Sequence, residues 1–218
     1  MGRPKKERQG NSVLTHEHIV TTALEMVDLH GTEQLSMRKL ATELGAGVMS
    51  LYHYVANKDA LLEALVDRVA SEVEPAEPGI EWTAAARHLA VQTHRALLRH
   101  PWAIPAWSTT WPGPHRFALM EQLLEVLATA GLPADVADLG FHALTNHIQG
   151  FARQRVAYGE IETSTDEMHE RLHALLTQDE YPRVAEHARF HSVGHGTRDE
   201  FNYVLDLIID GLERSQTV

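Results

Sequence analysis

An all-α fold is predicted by three features of the sequence. Apolar residues recur at the helical period through almost every segment, no run alternates convincingly in the manner of a strand, and Gly- or Pro-bearing breaks separate the periodic stretches. With 218 residues, 44% of them hydrophobic, the chain can build one large domain or a small one joined to a larger one.

The first helix is expected over residues 15–30, with Thr15 as N-cap, a stripe of Ile19, Ala23, Met26 and Val27, and Gly31 as its stop. A second, under three turns long, starts after Ser36, buries Leu40, Ala41 and Leu44, and ends at Gly45. Beyond Gly45, Ala46 and Gly47, a short third helix is expected over about 48–54, where Leu51 and Val55 continue the same core. Asn57 caps a fourth, whose Leu61, Leu62, Leu65, Val66 and Val69 share a side. The connection EPAEPGIEW (74–82) precedes a helix over 83–99. Residues 101–114, PWAIPAWSTTWPGP, hold four prolines and three of the four tryptophans, which predicts a broken helix or compact loop. Helices over 115–130 and 134–158 follow, with Pro133 suiting the first turn of the second, then a polar, His-rich stretch and a last helix over 198–214. The expected division is a basic arm and three-helix domain at 1–56 and a helical domain at 57–218, with 57–74 as connecting helix.

The absence of cysteine excludes disulfides, a thiolate nucleophile and Cys-based zinc sites. The segment after the basic start is too polar for a signal sequence, and no apolar run approaches the roughly 20 residues that span a bilayer, so a soluble, cytoplasmic protein without membrane partners is expected. Charge is uneven. Residues 1–58 hold seven Lys/Arg against six Asp/Glu, and residues 59–218 hold twelve against twenty-four. Such asymmetry fits a part that meets a polyanion and a part that does not, with solubility of an acidic body as the alternative.

Two short helices across a three-residue Gly-containing turn match a helix-turn-helix, whose second helix enters the DNA major groove. With Leu51 and Val55 inward, Val48, Met49, Ser50, Tyr52 and Tyr54 fall on or beside the outward surface. Apolar Val48 and Met49 suit thymine methyls, the Ser50 hydroxyl a base edge or phosphate, and the tyrosine hydroxyls phosphates. Arg38 near the start of the second helix suits backbone or guanine, and Lys58 in the first turn of the fourth suits phosphate. On spacing alone, an equally good reading makes the tyrosines packing aromatics and the cations a solvated surface.

The stretch LSMRKLATELGAGVMSLYHYVANKDALLEALVDRV resembles the DNA-binding region of the tetracycline-repressor (TetR-like) family of bacterial regulators, over about residues 13–69. RALLRH (95–100), HALTNHIQGFA (142–152) and LDLIIDGLE (205–213) resemble the branch containing the tetracycline repressor. The resemblance implies an all-helical homodimer on palindromic double-stranded operator DNA, with a C-terminal domain for a small-molecule effector and neither cofactor nor catalytic residue. It implies DNA contacts from Ser36, Met37, Arg38, Val48, Met49, Ser50, Tyr52, Tyr54 and Lys58. Val48 and Met49 depart from the more polar or Pro-containing pattern of the tetracycline repressor. The arm GRPKKER would follow phosphates or the minor groove. The helices over 134–158 and 198–214, apolar on more than one face, correspond to the family's four-helix dimer interface; on pattern alone, central core helices are the lesser alternative.

Trp102, Trp107 and Trp111 cluster around prolines, and Met120, Leu124, His142 and Asn146 lie on neighbouring helices. Such aromatics with a few polar groups suit an apolar or aromatic ligand, with plain core packing the alternative for each residue. Trp107 takes the register position of the histidine that holds the drug's magnesium in the tetracycline repressor, which argues against tetracycline as effector. One enzyme motif competes: HERLH at 169–173 matches H-E-x-x-H, the pattern of a zinc-dependent hydrolase. The charged Arg171 and polar surroundings favour a solvated His-rich surface there, as for His187, His191 and His195.

Overall fold

Caps written in the sequence fix where the first helices begin. In the computed structural model, which describes residues 14–162, 181–192 and 199–217, α1 (His16–His30) starts where the Thr15 hydroxyl accepts from the His18 N–H at 3.1 Å. Ser36 does the same for α2 (Met37–Glu43) through the Lys39 N–H at 3.2 Å, and Asn57 for α4 (Lys58–Ala70) through the Ala60 N–H at 2.8 Å. Each such cap contributes about 1 kcal/mol. Between them α3 (Val48–Leu51) is a single turn, prolonged by bonds from the Tyr54 and Val55 N–H groups to the Leu51 carbonyl at 2.9 and 3.0 Å.

The body comprises α5 (Trp82–Arg99), α6 (Ala103–Trp107), α7 (Pro114–Thr129), α8 (Ala134–Glu162), α9 (Pro182–Ser192) and α10 (Glu200–Arg214). Among the described residues there are no strands. The Pro-rich segment yields one short helix, α6, in which Pro105 occupies the first turn, where its missing N–H costs no helical bond. Helix α8 runs four residues beyond the expected 158, through Gly159, a residue that weakens a helix interior by only about 1 kcal/mol.

One apolar core joins head and body. Ile19, Ala23 and Val27 of α1, Leu40 of α2 and Leu51 of α3 close over Leu61 and Leu65 of α4. Val66 and Val69 of α4 extend the same core toward Leu89 and Leu97 of α5, Leu123 and Leu127 of α7, and Leu144 of α8. Helix α4 packs on α1, α5, α6 and α7, so it is the shared wall between the two halves. Helices α8 and α10 pack together closely enough that a Cβ at Gly140 would lie 3.0 Å from a Leu212 methyl. Both leave apolar groups outward, Leu139 and Leu207 among them. No described helix is long and apolar enough to cross a membrane.

Candidate nucleic-acid interface and internal cavity

The turn before α3 is closed by backbone geometry. Gly45 has φ of +62°, a conformation that a side chain disfavours. Its N–H bonds the Thr42 carbonyl at 3.1 Å, and the Ala46 N–H bonds the Ala41 carbonyl at 2.9 Å, the paired bonds of a Schellman motif. This stop sets the angle at which α3 leaves α2. Leu51 and Val55 are buried, and the opposite side is open: Met49 is 74% exposed, Tyr52 43% and Tyr54 44%, with Ser50 exposed beside them. Val48 is half-buried against the core. Arg38 is exposed, and Ser36 is half-buried, its hydroxyl serving as cap. Lys58 donates from Nζ to the Thr32 carbonyl at 3.1 Å and stays exposed. Met37 differs from the expected contact set. Its side chain is buried, because at the first position of α2 it falls on the stripe shared with Leu40 and Ala41, and it offers a groove nothing but backbone. The arm lies outside the described residues, as do HERLH and His195.

The body holds a half-open cavity of about 490 Å³ between α5, α6, α7 and α8. Trp107, Met120 and His142 line it, as the sequence predicts. Trp102, Trp111, Leu124 and Asn146 do not. Trp102 turns toward the head, donating from Nε1 to Asp28 Oδ1 at 2.6 Å; Trp111 is 73% exposed; Leu124 and Asn146 occupy the outward faces of α7 and α8. Sequence reasoning missed Arg116, Thr110, Phe141 and Gln149, all on the wall. Arg116 was hidden because a charged residue reads as surface. A shallower groove runs along α5 alone, from Thr83 to Arg95, open to solvent.

Two polar ties hold the body to its neighbours, one to α4 and one to α1 and the end of α4. Asp67, buried on α4, accepts from the Arg116 backbone N–H at 2.9 Å and from His115 Nδ1 at 2.8 Å. It thereby caps α7 from another helix, since the N-cap position is Gly113, which has no side chain to do so. Gly113 is required there: a Cβ would stand 2.4 Å from Asp67 Cγ. The second tie is His100, whose Nδ1 lies 2.7 Å from Asp28 of α1 and whose Nε2 lies 3.2 Å from Glu72, just past α4. Deeper, His94 stacks on Phe201 with centroids 3.9 Å apart, and its Nε2 is buried without a hydrogen-bond partner among the described residues. Burial, followed by the neighbouring His147, pushes the His94 pKa down to about 4, with Asp199 opposing. His147 is lowered by burial too, while its bond from Nε2 to the Phe201 carbonyl at 3.0 Å works the other way.

A helix-turn-helix head on a helical body with a ligand-sized cavity defines a sensor-type transcription regulator. Residues 19–65 match the family described as "Bacterial regulatory proteins, tetR family", and residues 74–216 match "Tetracyclin repressor-like, C-terminal domain". The chain belongs to the TetR family, whose members are transcription regulators and not enzymes. It is 40% identical over 152 residues to an HTH-type transcriptional regulator of Saccharopolyspora erythraea, a match covering 68% of this chain and 64%, less than two thirds, of that relative. It is 33% identical to the HTH-type transcriptional repressor DrrR1 of Streptomyces coeruleorubidus, over 96% of this chain and 81% of the repressor. Among solved structures, apo ActR from Streptomyces coelicolor superposes with a TM-score of 0.78 at 30% identity, covering 94% of this chain and 98% of ActR. ActR structures in complex with actinorhodin and with (S)-DNPA are similar as well, at TM-scores of 0.77 and 0.76.

Proposed function

We propose that the chain is a ligand-responsive repressor that binds a palindromic operator as a homodimer and is released by an apolar or aromatic small molecule held between α5 and α8. The DNA-binding unit is residues 1–56 and the sensing and dimerising unit residues 57–218, in the cytoplasm. Met49, Ser50, Tyr52 and Tyr54 face the major groove, with Val48 at its margin. Ser36, Met37 (through its backbone), Arg38 and Lys58 hold the flanking phosphates. Trp107, Met120 and His142 contact the effector.

The observation that carries this reading is the Asp67 tie. The cavity wall at Thr110 and Pro112 continues into Gly113, which packs on Asp67 of α4, and the opposite end of α4 follows directly on the α3 segment. A ligand that displaces the wall moves α4 as a lever. In a two-fold dimer the recognition helices must stand about 34–36 Å apart to enter successive major grooves, so a small rotation of each head spoils the fit. A coupling of about 1–3 kcal/mol weakens operator affinity roughly 5- to 150-fold. The complexes of ActR with actinorhodin and with (S)-DNPA support a small-molecule effector for this chain.

The test is fluorescence anisotropy with the DNA upstream of the chain's own gene, alongside thermal-shift screening of planar aromatic compounds. The expected result is salt-dependent binding that at least one stabilising compound weakens. Failure to bind that DNA in dilute buffer contradicts the DNA reading; affinity unmoved by every stabilising compound contradicts release.

A further inference from the structure

Among the described residues, the cavity wall carries one permanent positive charge and no carboxylate. None of its lining residues is Asp or Glu, in a chain that has 30 of them. The charge is Arg116, only 7% exposed. Burial lowers its pKa from the ordinary value, with the Asp67 carboxylate opposing, as expected of a cation taken out of water.

A buried cation ordinarily rests on a carboxylate, because desolvation is otherwise uncompensated. The Arg116 guanidinium has no ion-pair partner among the described residues. Nη1 donates to the Thr110 carbonyl at 3.2 Å and the Thr110 hydroxyl at 3.0 Å, and Nη2 donates to the Trp107 carbonyl. All three acceptors are neutral. Its Cζ lies 5.3 Å from the centroid of the Trp107 ring, which holds the fork in place by a cation–π contact. The nearby carboxylate, Asp67, is spent on the Arg116 backbone N–H and on His115. Of the five N–H groups of a guanidinium, Nε–H and one on Nη2 therefore form no hydrogen bond among the described residues.

We propose that the cavity is built for an aromatic acid, its carboxylate paired with Arg116 and its ring system lying against Trp107 and Phe141. This deepens the effector reading and rests on it for the claim that the occupant is a signal. A planar carboxylate matches the fork in geometry as well as charge. His142, Thr145 and Gln149, all on α8, present polar side chains to the rest of the molecule. Because Arg116 also holds the carbonyls of Trp107 and Thr110, an arriving carboxylate competes for a group that braces the loop leading to Gly113 and Asp67.

The probes are anthraquinone-2-carboxylate and its neutral carboxamide, titrated into the full-length protein without DNA and followed by calorimetry and intrinsic tryptophan fluorescence. The acid is expected to bind roughly ten- to a hundredfold more tightly than the amide, the range of a charge-assisted hydrogen bond. In Arg116→Gln that preference is expected to fall to near unity, and in Arg116→Lys to persist in part. Equal affinity of the two probes for the unaltered protein, including no detectable binding of either, overturns the proposal, and this comparison stands even where the variants fail to fold. An acid preference undiminished in folded Arg116→Gln overturns it too. The same probes added to the DNA complex separate this from the repressor reading. Acid binding without DNA release supports the anion site and removes the effector role, whereas release by the amide alone preserves the repressor and removes the acid.

Discussion

The α3 surface and the cavity are built on opposite plans. The surface is local: within seven residues, Leu51 and Val55 turn inward and Met49, Ser50, Tyr52 and Tyr54 turn outward, so one helical turn and its extension set the whole display. The cavity gathers side chains from α5 to α8, and its buried cation, Arg116, is placed by a carboxylate on α4. A display made by one element fails only when its apolar seam fails. A site made by five elements fails wherever any tie between them is cut.

The largest expected effect sharpens that contrast. Leu51 is fully buried, so Leu51→Ala leaves a void under the display and should cost about 2–5 kcal/mol in urea unfolding, with loss of DNA binding. Asp67→Ala should cost less, about 2–3 kcal/mol, for the lost cap and an unpartnered buried N–H. Gly113→Ala should act in the same direction by driving the carboxylate off α7. If the two residues form one device, Gly113→Ala will be milder in an Asp67→Ala background; strict additivity in a double-mutant cycle breaks the idea of a single tie.

The same contrast explains what was legible in the sequence. Caps at Thr15, Ser36 and Asn57, the Gly45 stop and the inward pair Leu51 and Val55 are short-range patterns, and each lies where spacing puts it. Met37 shows the limit even there, since family position does not say which way a helix-start side chain turns. In the body, Trp107 is legible as an aromatic among prolines, but Trp102 and Trp111 have the same local signature and point to the head and to solvent. Arg116 could be found only by knowing that Asp67, 49 residues earlier, meets the start of α7. No periodicity carries that. The one faint sign is Gly113-Pro114 ahead of an apolar run, a helix start lacking its own capping side chain.

A smaller effect comes from pH. The ordinary histidine pKa of 6.5 applies in the unfolded chain, and burial lowers His94 to about 4 in the fold. Between those values the unfolded state takes up a proton that the folded state refuses. His94 therefore lowers stability as pH falls from 6.5 toward 4, by about 2 kcal/mol after allowance for the ring's partial exposure. Chemical denaturation across that window should show the slope, and His94→Leu should flatten it in part, the lowered His147 retaining the rest. An unchanged slope in the variant would mean that the body owes its acid sensitivity to other groups.

The smallest effects on stability are expected on the display itself. Met49→Ala, Tyr52→Phe and Tyr54→Phe alter exposed side chains or single hydroxyls and should leave unfolding free energy within about 0.5 kcal/mol. Operator affinity should nevertheless fall roughly two- to tenfold for each lost hydroxyl contact, and Arg38→Gln should lower the slope of log affinity against log salt by about 1. Arg116→Gln is the counterpart in the body, predicted to bring the acid and amide probes to near-equal affinity. If the tyrosine changes weaken ligand binding as much as DNA binding, the head is not a separable display. The two regions would then be one cooperative unit, with α4 its common core and not a lever between parts.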